Sequence, residues 1–222
     1  MSQASWSSVD AYFSKMLVPE DGCLKQALSD SEAAGLPPHN VAPNQGKFLH
    51  LLARVQGARR ILEIGTLGGY STIWLARALP DEGRLVTLEA DPKNAAIASA
   101  NIERAGLSSV VSVCVGPAID SLRTMVAAGE SPFDFIFIDA DKPNNPAYLE
   151  LSLQLSRPGT VIIGDNVVRE GEVANAMSSD ARVQGVRSFL EMMSADPRLS
   201  ATAIQTVGSK GYDGFSMAVV ES

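Results

Sequence analysis

Arg60-Ile61-Leu62-Glu63-Ile64-Gly65-Thr66-Leu67-Gly68-Gly69-Tyr70-Ser71 is the stretch that decides how this chain folds. A short apolar run, the pattern of a buried strand, ends at Gly65, and apolar residues at helical spacing follow from Ser71 to Leu79. A strand that enters a helix through a glycine-rich turn aims backbone N–H groups at a ligand on the carboxyl edge of a sheet. Glycines suit that turn because side chains would block the approach. The spacing from Gly65 is three residues and then one, and Glu63 precedes the first glycine, so the Gly-x-Gly-x-x-Gly dinucleotide fingerprint is absent. A nicotinamide-dependent dehydrogenase is disfavoured on that ground. Glu89 ends the next strand-like run, where α/β folds that bind nucleosides hold ribose hydroxyls.

Outward from the turn, strands and helices alternate. Arg84 to Leu88 precedes an alanine-rich helix from Pro92 to Ala105, with a stop at Gly106. Val110 to Val115 precedes Ala118 to Ala128, and Phe133 to Ile138 precedes Tyr148 to Leu155. Thr160 to Ile163 leads towards a helix from Val183 to Met193. Continuously apolar strands between helices predict a parallel sheet covered on both faces. Ala201 to Val207 and Phe215 to Val220 are parted only by Gly208 to Gly214, too short for a crossover helix, so they should pair antiparallel. This α/β layout resembles the Rossmann-like class I AdoMet-dependent methyltransferases. It predicts a seven-stranded, mostly parallel sheet of order 3-2-1-4-5-7-6 with a terminal antiparallel hairpin.

Residues 1–58 read as extra N-terminal helices: Val9 to Leu17, Leu24 to Ala34 and Lys47 to Val55. The proline-rich loop from Gly35 to Pro43 interrupts them. One domain over 1–222 is expected, with 1–58 as a lid or dimer region on a 59–222 core.

The net charge of −7 argues against a nucleic-acid partner, which needs basic surface to neutralise phosphates. Cys23 and Cys114 form no paired motif, so neither a disulfide framework nor a zinc site is expected, and Cys114 reads as a small buried side chain. The N-terminus lacks the basic and apolar regions of a signal peptide, and no run of roughly 18 apolar residues could span a membrane. A cytoplasmic location is the expectation.

Asp139 ends one central strand, and Asp165 and Asn166 follow another. In a doubly wound sheet these strands neighbour the one that carries the glycine turn, so the three side chains should converge beside it. Two carboxylates and an amide oxygen, with no thiolate or imidazole, suit a hard divalent cation: Mg²⁺ first, with Ca²⁺ or Mn²⁺ as alternatives. Lys142 lies three residues after Asp139 and, beside a cation, would give up its proton readily enough to serve as a base. Asp141 reads as a structural or solvent-facing residue of the same turn, His39 as a surface loop residue and His50 as a structural one. No serine or cysteine is paired for nucleophilic catalysis.

Four segments together resemble the cation-dependent O-methyltransferase family, which includes catechol and caffeoyl-CoA O-methyltransferases. They are Leu62 to Ser71, Phe137 to Lys142, Gly164 to Val167, and Lys210-Gly211-Tyr212-Asp213-Gly214. The resemblance runs from about Val41 to Val220 and is strongest to the bacterial small-molecule branch. It implies that Glu63 and Gly65 bind S-adenosylmethionine (AdoMet), that Ser71 contacts its carboxylate end and that Glu89 holds its ribose. It further implies contacts to the cofactor from Val41, Ala118 and Asp139, metal ligation by Asp139, Asp165 and Asn166, and Lys142 as general base. The late glutamate of catechol-type enzymes has no evident counterpart, and Gly164 to Gly185 supplies no insertion to grip a CoA ester.

The expected reaction is methyl transfer from AdoMet to a hydroxyl of a catechol-type small molecule in a homodimeric enzyme. Two alternatives stand beside it: a transfer-RNA hydroxyuridine O-methyltransferase, and a non-catalytic AdoMet-binding protein.

Overall fold

A computed structural model describes residues 2–221, so Met1 and Ser222, the ends of the expected 1–222 domain, lie outside the described residues. Three helices open the chain: α1 Gln3–Leu17, α2 Gly22–Ala33 and α3 Pro43–Gln56. The Asp21 carboxylate caps α2 by accepting the Leu24 N–H at 3.0 Å. α3 begins four residues ahead of the expected Lys47, because proline is tolerated in a first turn where its missing N–H has no partner to lose. That earlier start makes Asn44 and Gln45 helical.

β1 Arg60–Ile64, α4 Tyr70–Ala76, β2 Arg84–Glu89, α5 Pro92–Arg104, β3 Val111–Val115 and α6 Ala118–Ala127 form the first half of the sheet and its helices. β4 Phe135–Ile138 follows, and a 3₁₀ turn at Lys142–Asn144 leads into α7 Asn145–Gln154. β5 Val161–Asp165 is followed by an irregular 3₁₀ segment, Arg169–Ala174, and then by α8 Ala181–Ala195. β6 Leu199–Gly208 and β7 Gly211–Val220 end the fold.

The sheet order is β3-β2-β1-β4-β5-β7-β6, as the sequence predicts. β1 to β5 are parallel, and β7 runs antiparallel to both β5 and β6. The hairpin is tighter than expected. Pairing continues to Gly208 opposite Gly211, so Ser209 and Lys210 alone make the turn and Tyr212 to Gly214 belong to a strand.

Side-chain alternation sends Ile61, Phe135, Phe137 and Ile163 to the face covered by α2 to α5. Leu62, Ile64, Ile136, Ile138 and Ile162 point to the face covered by α6 to α8. Each such fully buried side chain contributes roughly 2–3 kcal/mol. Coverage fails at one edge: Cys114 on β3 is half-buried rather than buried, and Val115 is exposed, because an edge strand has a neighbour on one side only. No helix among the described residues is long and apolar enough to cross a membrane.

Candidate active site

The glycine turn is built around two close approaches. Gly65 sits at φ +101°, and a Cβ there would overlap the carbonyl oxygen of Asp139. The carboxyl ends of β1 and β4 therefore touch, and Asp139 N donates to the Ile64 carbonyl at 2.8 Å. Gly69, at φ +82°, starts α4 in a left-handed conformation that a branched residue would resist. Asn101 on α5, fully buried, donates its amide N–H to the Gly68 carbonyl at 2.9 Å and holds the turn from behind.

Glu89 closes the turn from β2. Its Oε2 accepts the Leu67 N–H at 2.7 Å and its Oε1 accepts the Asp91 N–H at 3.0 Å. Glu63 behaves differently. Its carboxylate is fully buried and accepts three hydroxyls, from Ser71 at 2.6 Å, Thr72 at 2.5 Å and Thr87 at 2.7 Å. Burial pushes its carboxyl up to about 7, with the three hydroxyl bonds pulling it down and the Asp139 charge raising it.

The acidic edge gathers as the strand order requires. β4 and β5 are adjacent, with Ile138 opposite Gly164, so Asp139 and Asp165 leave neighbouring strands at about the same height. Lys142 Nζ donates to Asp139 Oδ1 at 2.8 Å and is itself buried. Asp165 Oδ2 accepts from Gln45 Nε2 at 2.8 Å, and its Oδ1 accepts the Asn166 N–H at 2.8 Å. Burial first, and then the charge of Asp139, raise the Asp165 carboxyl well above the usual carboxylate range. A buried carboxylate raised by the charge of its neighbour favours a cation between the two. Asn166, at φ +55°, follows Asp165 directly and also lines the cavity. Among the described residues no three His, Cys, Asp or Glu side chains cluster as a metal site. Two carboxylates and an amide, without thiolate or imidazole, are donors that would fit Mg²⁺ better than zinc.

One cavity of about 880 Å³ joins these parts, ample for a nucleoside cofactor and a small ring together. Val41, Gly65, Ser71, Glu89, Ala118, Asp139, Lys142, Asp165 and Asn166 all line it. Glu63 is not part of the wall; it lies behind Ser71. His39 is exposed and borders the cavity, whereas His50 is buried in α3 with Nδ1 3.1 Å from the Trp74 carbonyl. Asp141 also reaches the cavity wall, its carboxylate bonded by Tyr148 at 2.5 Å and Asn144 at 2.6 Å.

Sequence reading missed Gln45, Arg169, Arg182 and Lys210, all of which line the cavity. Lys210 was signalled by the Lys210-to-Gly214 segment. Gln45 and Arg169 had no signal, since nothing local shows which residue of a helix or loop faces a distant strand end.

Known proteins share this fold. The O-methyltransferase family model matches residues 14–216. A catechol O-methyltransferase of Niastella koreensis is 52% identical over 221 residues, covering 100% of each chain. An O-methyltransferase from Bacillus cereus, crystallised in complex with SAH, superposes with a TM-score of 0.98 and 63% identity over 99% of this chain and 100% of that one. The Streptomyces achromogenes O-methyltransferase involved in tomaymycin synthesis, crystallised with SAM, has a TM-score of 0.97 and 51% identity, with 100% of both chains covered. A match over nearly the whole length, together with the seven-strand order and the glycine turn, shows that the chain belongs to the O-methyltransferase family.

Proposed function

We propose that this AdoMet-dependent O-methyltransferase methylates one hydroxyl of a vicinal dihydroxy aromatic small molecule, with a divalent cation held by Asp139, Asp165 and Asn166. The observation that carries the reading is the convergence of those three side chains and Lys142 on the cavity that the glycine turn also lines. When bound, the cation supplies positive charge that polarises the acceptor hydroxyls and eases loss of their protons.

The chain's own residues do the rest. Gly65 leaves room for the cofactor, Glu89 faces its ribose and Val41 and Ala118 pack against it. Glu63 acts through Ser71, whose hydroxyl it holds at 2.6 Å beside the cofactor's carboxylate end. Lys142, in its neutral amine form, would accept the proton of the reacting hydroxyl. The oxygen then attacks the sulfonium methyl in line, the S–CH₃ bond breaks, and S-adenosylhomocysteine leaves. Most of the rate gain comes from orientation of the two reactants.

The net charge of −7 favours a small acceptor over transfer RNA. Homodimerisation is part of the proposal, supported by the apolar face that α1 exposes at Tyr12, Phe13, Met16 and Leu17.

The test is transfer of labelled methyl from AdoMet to catechol and to a hydroxyuridine-containing RNA, with Mg²⁺ and with excess EDTA. Catechol methylation that stops in EDTA is the expected result. An undiminished rate in EDTA would remove the cation, and turnover of the RNA alone would replace the acceptor.

A further inference from the structure

Helix α1 buries its residues in an inverted pattern. Tyr12, Phe13, Met16 and Leu17 are exposed, and Asp10 is the residue of α1 that is buried. The donors to its carboxylate are neutral. Oδ2 accepts the Ser209 N–H at 2.7 Å, and Oδ1 accepts the Asn44 amide N–H at 2.8 Å. A Cβ on Gly208 would overlap Oδ2, so the β6–β7 turn lies directly against the carboxylate. Gln3, also on α1, donates its amide N–H to the Gly208 carbonyl at 2.9 Å. A buried carboxylate is tolerated only with such donors, so α1, the hairpin turn and the first turn of α3 are held in one arrangement.

The turn carries Lys210, which reaches across to the segment between α2 and α3. Its Nζ donates to the Pro38 carbonyl at 3.0 Å and to the Asn40 amide oxygen at 3.5 Å. Pro37, Pro38, His39, Asn40 and Val41 all line the cavity, so this segment is a strap along its wall. Two successive prolines leave the strap without N–H groups to pair there. Its other hydrogen bonds stay within the strap: the His39 N–H donates to the Pro37 carbonyl at 2.8 Å and the Asn40 amide to the Val41 carbonyl at 3.1 Å. Among the described residues, Lys210 is therefore the one hydrogen-bonded tie from residues 37–41 to another part of the fold.

We infer that Asp10 and Lys210 are positioning residues for the methyl donor. Asp10 fixes the hairpin turn, the turn aims Lys210, and Lys210 holds the strap, with Val41 at its end, against the bound cofactor. Both act through the strap and not on the reacting atoms. The inference rests on the placement of AdoMet in the cavity given above and adds to it a restraint on escape.

The experiment measures release of labelled S-adenosylhomocysteine from the full-length protein, chased with an excess of the unlabelled compound and with no acceptor present. Lys210→Met and Asp10→Ala should each raise the first-order rate constant by about tenfold, the scale of a lost hydrogen bond to a charged group. Lys210→Arg and Asp10→Asn keep a donor and an acceptor in place and should stay within about threefold of wild type. Because the two residues act in series, the double variant Asp10→Ala with Lys210→Met should release the label within about twofold of the faster single variant. Unfolded protein holds no label, so a loss of stability does not enter the rate constant. A rate unchanged in either single variant, or effects that multiply in the double variant, would overturn the inference and leave the proposed reaction standing. Wild-type protein that retains no S-adenosylhomocysteine would remove the placement of the cofactor, and the inference with it.

Discussion

Gln45 Nε2 donates to Asp165 Oδ2 at 2.8 Å, a bond between residues 120 apart in the chain that ties the first turn of α3 to the end of β5. An N-terminal helix thereby orients one of the proposed cation ligands. Groups that orient metal ligands typically carry 10- to 100-fold in metal affinity. Gln45→Ala should raise the Mg²⁺ concentration for half-maximal activity by about tenfold, with the KM for AdoMet changed by no more than about twofold. Metal titration of the initial rate checks both numbers.

Lys142, buried on the cavity wall with its Nζ on Asp139, is the base of the proposed reaction. Lys142→Met should lower kcat by about 100-fold or more, the usual weight of a general base. AdoMet affinity measured by calorimetry should stay within about threefold of wild type. An unchanged kcat would remove Lys142 from the chemistry.

Gly65 has no room for a methyl group, and its φ of +101° is foreign to other residues. Gly65→Ala should destabilise the fold by about 1–3 kcal/mol, seen as a lower urea midpoint, and should abolish measurable AdoMet binding. A stable variant that still binds AdoMet would show that β1 and β4 can part without loss.

Glu63 gives a pH signature. Its carboxyl is raised in the folded protein to about 7 from an ordinary value of 4.5, so the folded state holds the proton more tightly than the unfolded chain does. The stability this contributes is fully present below pH 4.5 and is lost as pH rises to about 7. Glu63→Gln cannot ionise. Its stability relative to wild type should improve across that window by an amount on the order of 2–3 kcal/mol. Urea unfolding of both proteins at several pH values measures it, and a difference independent of pH would mean that Glu63 ionises normally.

The legible part of the site is the part set by strand ends. Gly65, Glu89, Asp139 and Asp165 each terminate a strand or follow one directly, and in a parallel sheet all such ends lie on one edge. Apolar runs and short connections predicted parallel strands with a terminal hairpin, and the resemblance to class I methyltransferases supplied the order β3-β2-β1-β4-β5-β7-β6 that gathers these residues. Element limits were less legible. Helix α3 started early at Pro43, and the hairpin strands reached a two-residue turn, because cross-strand pairing and a tolerated proline outweigh the local composition.

What the sequence determined by itself is the sheet and the edge on which these groups meet, since periodicity and strand-end position are local properties that topology converts into proximity. The tertiary structure alone decided how those groups are supported. Gln45 reaches Asp165 across 120 residues, Asp213 clamps the loop that carries Arg169, and Glu63 turns from the cavity wall to three buried hydroxyls. Each of these depends on which face of a helix or loop meets a distant strand, and that is settled by packing and by the need to satisfy buried polar groups.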